Sequence, residues 1–593
     1  MTVNGVLSRS SRLVRESLQP TNVPPRVLLA ASVTLFVLAF GVRLLHWQNN
    51  WLTVDDTMNK TAAGYKQDAQ LLTDGDFSSF IRGRAGQPDT AKLTHPPGYP
   101  VLIAVVDVIT RRSSIALRLV HIGFGAAAAV VVLLIAAELL PITAALVSGL
   151  FAAISPQLSY YSLVFLPDSV IALPLVTGIY LLVRAYKRPN ACLIAGTGVC
   201  MGISCWLRAD VLLLAPFLCL LLPFLFSRGQ RLRYAALLVT ATVLTIAPIT
   251  IRNLLVFKSF VPVSLGSGVI LVEGIADYDP TKQFGLERYD HEVTRQEAVM
   301  YNRPDYAEDL FRPDGISRER LRIARAWRVV SGNRVWFMRV MARRAAKMLT
   351  YEPVPIISTE ASVSHVLDVS RGELVWHTEQ LGVGDFATEP INVQSNTDYV
   401  LNVSLRSLAG RKVIKILRPD KNKTVASATV PDSLSPSDQS DELTILQIPF
   451  LNSSAQQVRI VGQNLDDDST IVGAIDLYRL GTASYMWTGY PRMAVKAMQK
   501  FFTTKTMLPL TLTGVLLLVL ARRFDALTVI LAIPVYYVTT HSPLHLELRY
   551  VLPMHYFWAI LVATSLYFFC LAAWKLIRKF KSLQRDGERV FQS

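Results

Sequence analysis

The chain has 593 residues, 51% of them hydrophobic, and a formal net charge of +16. Its apolar residues gather in blocks that approach the roughly 20 needed to cross a bilayer, which excludes an ordinary soluble globule and predicts a multi-pass membrane protein. The positive charge does not point to nucleic acid, because many basic residues stand in short loops between apolar blocks, where the positive-inside rule puts them.

Cys192, Cys200, Cys205, Cys219 and Cys570 all lie inside apolar blocks, so neither a disulfide framework nor a zinc site is expected. Residues 1–26 are basic and read as a cytoplasmic tail before a retained first helix. The first span, Val27 to about Leu45, therefore delivers the polar loop 46–97 to the outer face. Gly98 to Ile109 is too short to cross, and counting it as a span inverts the charge pattern of the later loops. It is expected to be a re-entrant or interfacial helix on the outer side. Spans then follow at Ile115–Ala137, Ile142–Ile154, Val170–Val183, Ala191–Leu207, Val211–Phe226 and Tyr234–Ile251, closing a membrane core over 27–251.

No span is expected in 252–506. Residues 252–355 read as an outer mixed, helical region, ending in NRVWFMRVMARRAAKMLTY, an apolar helix with a basic face. Residues 356–482 differ in kind. Alternating runs such as DYVLNVSLRSL, RKVIKILRP, TILQIPF and QQVRIVGQ, separated by turn residues, predict a β-sandwich or jelly roll. An amphipathic interfacial helix is expected in 483–506. Spans at Leu508–Leu520, Leu527–Val538 and Val551–Trp574 fill 507–576, and 577–593 is a basic cytoplasmic tail. The predicted fold is thus a multi-pass α-helical membrane protein of about ten spans plus one re-entrant helix, with an inserted outer β-domain. The count leaves Arg111 and Arg112 outside, against the charge rule.

On this topology Asp55, Asp56, His95, Asp168, Arg208, Asp210, Arg252, Glu547, Arg549 and Tyr550 collect near the outer membrane surface. Carboxylates there can take a proton from an attacking hydroxyl, and arginine forks can hold a leaving phosphate. Each residue also has a plainer reading. Asp55 and Asp56 could cap a surface helix, and Asp168 could cap the helix that begins at Ser169. Arg208, Arg252 and the Arg549–Tyr550 pair could be interfacial anchors. Asp466 to Asp468 could hold calcium or form an exposed acidic turn. The sequons at Asn402, Asn422 and Asn452 would matter only in a secretory pathway.

The motifs VDD, KQDAQLLTDGDF, HPPGYP, SPQLSYYSLVFLPD, APITIRNLLVFKSFVPVSLGSGVILVEG and LRYVLP stand in order. They resemble the GT-C superfamily of polyprenyl-phosphate-dependent glycosyltransferases, most of all the bacterial protein O-mannosyltransferase and aminoarabinose transferase group. The resemblance covers roughly Val27 to Gly274 and Leu508 to Trp574. It implies an inverting transfer from a polyprenyl-phosphate-linked sugar to an acceptor hydroxyl of a cell-envelope glycan, lipid or protein. By it Asp55 is the general base, Asp56 supports it, and Asp168 helps position acceptor or donor. His95, where the aminoarabinose transferases carry a phosphate-contacting Lys, is grouped with Arg252, Arg549 and Tyr550 on the donor phosphate. The aromatic residue common after the acidic pair is missing, and Asn59 stands nearby. No metal ligands are assigned and no cofactor is called for, with a divalent cation left open. The setting implied is a bacterial inner membrane, with site and β-domain periplasmic. The closing strand GAIDLYRLG makes the β-domain similar to carbohydrate-binding jelly rolls. The rival readings are a transporter or flippase for lipid-linked sugar, which would show an inverted repeat, and a non-catalytic glycan receptor, which would not need the carboxylates and arginines at the span ends.

Overall fold

A computed structural model describes residues 14–21, 23–50, 54, 59–83, 88–351, 372–379, 382–383, 385–395, 397–407, 412–420, 423–430, 444–452, 455–464, 470–482 and 489–592. The chain divides into two compact units. One comprises 1–44, 60–354 and 499–593, and the other 45–59 with 355–498.

The first unit is helical. Pro25–Gln48, Ser114–Leu139, Pro167–Lys187, Arg228–Phe257, Phe524–His541 and Leu548–Arg578 are long and apolar enough to cross a membrane, by length and composition. The other four expected spans fall on shorter helices, Ile142–Ile154, Ala191–Leu207, Leu214–Leu225 and Thr504–Leu520. Small residues make close packing possible in the first of these, which buries Ala144, Ala145, Ser148, Gly149, Ala152 and Ala153. Arg43, fully buried in the first long helix, donates to Ser162 Oγ at 3.2 Å and to the Ala39 and Ala153 carbonyls at 3.0 and 3.3 Å. These acceptors for Nε and Nη1 offset part of the cost of burying the cation. It pins the loop that leads to Asp168.

Gly98–Thr110 is a helix of 13 residues. It stops at Arg111 and Arg112, both left-handed with φ of 55° and 64°. Ser113 then opens the next helix by accepting the Ala116 amide at 3.3 Å. Arg112 bonds Asp74 at 2.5 Å and Thr73 at 3.2 Å, so the far end of the short helix lies against the helix Asn59–Thr73 that precedes it in the chain.

Residues 267–348 form four helices, Ser267–Ala276, Asp290–Met300, Gly315–Gly332 and Arg334–Met348. The first is apolar, and its Val272, Ile275 and Ala276 are covered by Val293, Ala326 and Phe337 of the other three. Tyr351, just beyond, is buried among the ends of three apolar helices. Its hydroxyl lies 2.6 Å from Ser155 Oγ, its amide donates to Thr504 Oγ1 at 2.7 Å, and its ring stacks on His555 at 5.0 Å. The expected tail 577–593 is helical as far as Gln592. Helix Leu552–Gln592 runs on through it, because the segment has no proline and is rich in Lys, Arg, Gln, Glu and Leu, all good helix formers.

Among its described residues the second unit carries ten strands: β1 Glu373–Thr378, β2 Gly382–Val383, β3 Phe386–Ala387, β4 Ile391–Asn392, β5 Thr397–Ser407, β6 Lys412–Arg418, β7 Lys423–Val430, β8 Thr444–Asn452, β9 Gln457–Asn464 and β10 Thr470–Thr482. They make two antiparallel sheets, β1-β10-β5-β8 with β2 on β10, and β3-β9-β6-β7 with β4 on β9. Strand alternation sends Tyr399, Leu401 and Val403 of β5, Leu446, Ile448 and Phe450 of β8, Ile414 and Ile416 of β6, and Val458 and Ile460 of β9 into one core. In β10 the inward residues change parity, from Val472 to Ile475 and Leu477, across a register shift. The sandwich expected from the sequence is therefore present.

Candidate active site

Arg208 stands where helix Ala191–Leu207 gives way to the turn Ala209–Val211, with extended backbone at φ −149° and ψ 133°. Its Nη1 donates to Asp168 Oδ1, and its Nε to the two Asp210 oxygens at 3.2 and 3.3 Å. Its guanidinium carbon lies 4.4 Å from the Tyr550 ring centroid, a cation–π distance. Asp168 is only 3% exposed. It is the second residue of the short helix Pro167–Val170, whose N-cap position is Leu166, so it does not stand as the cap of that helix. Asp210 also meets His541 Nε2 at 3.2 Å, and its carbonyl accepts the Tyr536 hydroxyl at 2.6 Å.

Arg549 approaches the same ring from another side, 5.0 Å from its centroid, and donates through Nε to Glu547. The Tyr550 hydroxyl accepts from Arg549 Nη2 at 3.3 Å and donates to Glu547 Oε1 at 3.3 Å. One aromatic ring is thus shared by two guanidinium groups, with three carboxylates around them. Each guanidinium has five N–H donors in a fixed fork, and these bonds engage only some of them. The cluster can therefore take an additional anionic oxygen without dismantling its own pairs.

His95 forms an adjoining wall. Its ring lies 4.9 Å from Tyr65, which packs edge-on to Tyr99 at 4.9 Å. Tyr99 pairs in turn with His121 Nε2 at 3.0 Å. His95 keeps solvent-accessible surface yet sits in a recess of protein. Desolvation there lowers its pKa, and the charges of Arg208 and Arg549 push the same way, to about 4. Its imidazole is neutral at pH 7. Burial, helped by Asp168, holds the Tyr65 hydroxyl protonated well above its usual range. Beyond it Lys66 and Arg118 flank the Phe165 ring at 4.5 and 4.4 Å. Gly98 starts its helix hard against the other wall, since a Cβ there would lie 2.5 Å from the Trp206 carbonyl oxygen. Only glycine permits that approach.

The structure thus gathers Asp168, His95, Arg549 and Tyr550, four residues singled out from the sequence. It does not bring Arg252 into the cluster. Arg252 bonds Asn253 Oδ1 at 2.9 and 2.6 Å and the Lys92 carbonyl at 3.4 Å, on the loop where Lys92 pairs with Asp68. Asp55 and Asp56, like Asn422 and Asp466 to Asp468, lie outside the described residues. Among the described residues, no group of three or more His, Cys, Asp or Glu side chains is placed to hold a metal ion. Arg208, Asp210 and Glu547 were expected near the outer surface but given no role in the site, and His541, which meets Asp210, was not among the expected residues. The available signal was Arg208-Ala-Asp210 and Glu547-Leu-Arg549, opposite charges two residues apart beside apolar blocks.

Three solved structures are similar at low identity. The apo oligosaccharyltransferase of Archaeoglobus fulgidus is 15% identical over 48% of this chain and 38% of its own, with a TM-score of 0.32. The oligosaccharyltransferase AglB of the same organism, in complex with an inhibitory peptide and a dolichol-phosphate, is 13% identical over 52% and 37%, at 0.32. Arabinosyltransferase EmbB of Mycobacterium smegmatis is 12% identical over 80% and 66%, at 0.27. The matched part of the chain spans less than two fifths of the archaeal enzymes. No curated protein matches the sequence. Residues 94–251 match the family described as dolichyl-phosphate-mannose-protein mannosyltransferase. The resemblance to GT-C transferases thus rests on a family match over the stretch that holds His95, Asp168 and Arg208.

Proposed function

We propose that the chain is an inverting glycosyltransferase that moves a sugar from a polyprenyl-phosphate donor to an acceptor hydroxyl at the periplasmic face of a bacterial inner membrane. Asp55, supported by Asp56, takes the acceptor proton. The acceptor oxygen attacks the anomeric carbon from the face opposite the phosphate. The bond from that carbon to the phosphate oxygen breaks, and its electron pair leaves with the phosphate. Arg549 and Tyr550, joined here by Arg208, hold the charge that gathers on the phosphate. His95 contributes as a neutral hydrogen-bonding group, Arg252 lies farther along the donor path, and Asp168 fixes Arg208. The β-sandwich binds or orients the acceptor glycan.

The observation that carries this reading is the pair of guanidinium groups on Tyr550 beside Asp168, in a chain whose matched family is named for a dolichyl-phosphate sugar. Purified protein incubated with a panel of radiolabelled polyprenyl-phosphate hexoses and pentoses tests it. Transfer from one donor, lost in Asp55→Asn, is the expected result. No turnover of any donor, or wild-type transfer by the variant, overturns it.

A further inference from the structure

The hairpin of helices Gly315–Gly332 and Arg334–Met348 has a second face that the helical core does not use. Ala326 and Phe337 point inward, with Val329, Val330, Trp336 and Met341 packed alongside. Exposed instead are Trp327 at 65%, Val335 at 67% and Met338 at 69%, and Val335 and Met338, three residues apart, share one helix face. Large apolar groups grouped on a solvent face mark a docking surface.

The charge on that face has one sign. Between Gly315 and Met348 the only acidic residue is Glu319, and it is buried, accepting the Gly266 and Gly268 amides at 2.8 and 2.6 Å. Arg318, Arg322, Arg325 and Arg344 are buried as well. Arg318 and Arg322 pair with Glu297 at 2.9 and 2.7 Å, and Arg322 also with Glu319 at 3.5 Å. Arg320, Arg328, Arg334, Arg339, Arg343 and Lys347 are all exposed, and none has an ion-pair partner among the described residues. The second helix repeats apolar and small residues at Val335, Met338, Ala342 and Ala346, with Arg339, Arg343 and Lys347 one position on. Apolar and cationic stripes side by side suit a helix lying in a headgroup layer.

Position favours the same occupant. Helix Arg334–Met348 ends three residues before Tyr351, which is buried where three apolar helices end, at Ser155, Thr504 and His555. The hairpin therefore leaves the protein at the level where the apolar helices stop.

We infer that this face docks on anionic phospholipid headgroups of the surrounding leaflet, with Trp327, Val335 and Met338 inserted among the upper acyl carbons and the six cations on lipid phosphates. The anchor selects lipid by charge and holds the outer helical region down on the membrane.

The test uses the whole protein in nanodiscs of equal phosphatidylcholine and phosphatidylglycerol, with bromine on the acyl chains of one lipid or the other. Trp327 quenching is read as the fluorescence difference between wild type and Trp327→Phe, which cancels the other eight of nine tryptophans. Stronger quenching by brominated phosphatidylglycerol is expected, with the preference lost in the combined Arg328→Gln, Arg339→Gln and Arg343→Gln variant. Quenching by neither lipid means water or protein covers the face, and equal quenching means charge selects nothing. Either result overturns the inference, as does a preference that survives in the variant. Sugar transfer is not part of the readout, so the outcome is independent of the proposed reaction.

Discussion

Arg208 lies 4.4 Å from the centre of the Tyr550 ring while its fork joins Asp168 to Asp210. Two turns from the first half of the chain are thereby joined to the turn Leu548–Val551 that leads into the last long helix. Two kinds of substitution separate charge from fork. Arg208→Ala strands two enclosed carboxylates and should destabilise the fold by about 3–5 kcal/mol. Arg208→Lys keeps the charge but loses the planar two-sided fit. It should leave a folded protein whose transfer rate is down roughly 100-fold. Thermal unfolding and single-turnover transfer of the two variants check this, and a fully active Arg208→Lys protein would show that only the charge matters.

His95 and Arg549 should differ sharply in sensitivity. Because His95 is neutral, His95→Gln removes no charge and should lower transfer by less than about tenfold, as expected for one neutral hydrogen bond. Arg549→Gln removes a cation from the phosphate site and should cost on the order of 10²–10³ in rate. Comparable losses in the two variants would mean that His95 acts as a cation. The same neutrality has a stability signature. The unfolded chain protonates this imidazole below about 6.5, while the folded protein resists until about 4. His95 therefore costs stability as pH falls through that window, and His95→Gln should lessen the acid sensitivity.

Glu273 should impose the opposite slope. Burial, then its hydrogen bond with Asp290 and the charges of Asp277 and Glu547, raise its pKa from 4.5 to about 9. The folded protein keeps a proton that the unfolded chain gives up above 4.5, so the stabilising contribution present at low pH is lost as pH rises towards 9. Thermal midpoints should fall across that interval in wild type and fall less in Glu273→Gln. Parallel curves for the two proteins would show that the carboxyl does not stay protonated.

Asp74 and Arg112 should face the same compartment. Their pairing across the short helix Gly98–Thr110 is the arrangement a re-entrant piece requires. Cysteines placed singly at 74 and 112 should both react with a membrane-impermeant thiol reagent from the same side of sealed vesicles. Labelling from opposite sides would turn the short helix into a span.

Much of this was legible in the sequence, for identifiable reasons. The β5, β6, β8 and β9 strands follow from alternation of large apolar residues, and β10 from two such runs either side of its register shift. The strand KTVASATV, β7, escaped notice because small residues blunt that alternation. The two-residue strands β2 to β4 leave no pattern at all. Asp168, Arg549 and Tyr550 belong to motifs that keep their order along the chain. Arg208 was discounted because an arginine at a span end reads equally as an interfacial anchor, and only tertiary contact with Asp168 and Tyr550 separates the two. His95 reads from its place in the motif as a phosphate cation, yet its protonation is set first by burial and then by the charges of Arg208 and Arg549, residues more than a hundred positions away. The helical tail to Gln592 was missed because basic composition says which side of a membrane a segment prefers and little about its backbone.

Gly98 carries a mechanical consequence. With no side chain between its backbone and that of Trp206, the start of the helix after His95 packs directly on the end of the helix that leads to Arg208. The segment 59–83 is held instead by side-chain links such as Lys92 to Asp68 and Arg112 to Asp74. Its amides should therefore exchange with solvent faster than those of 98–110, and equal exchange would show that the backbone contact at Gly98 adds no rigidity.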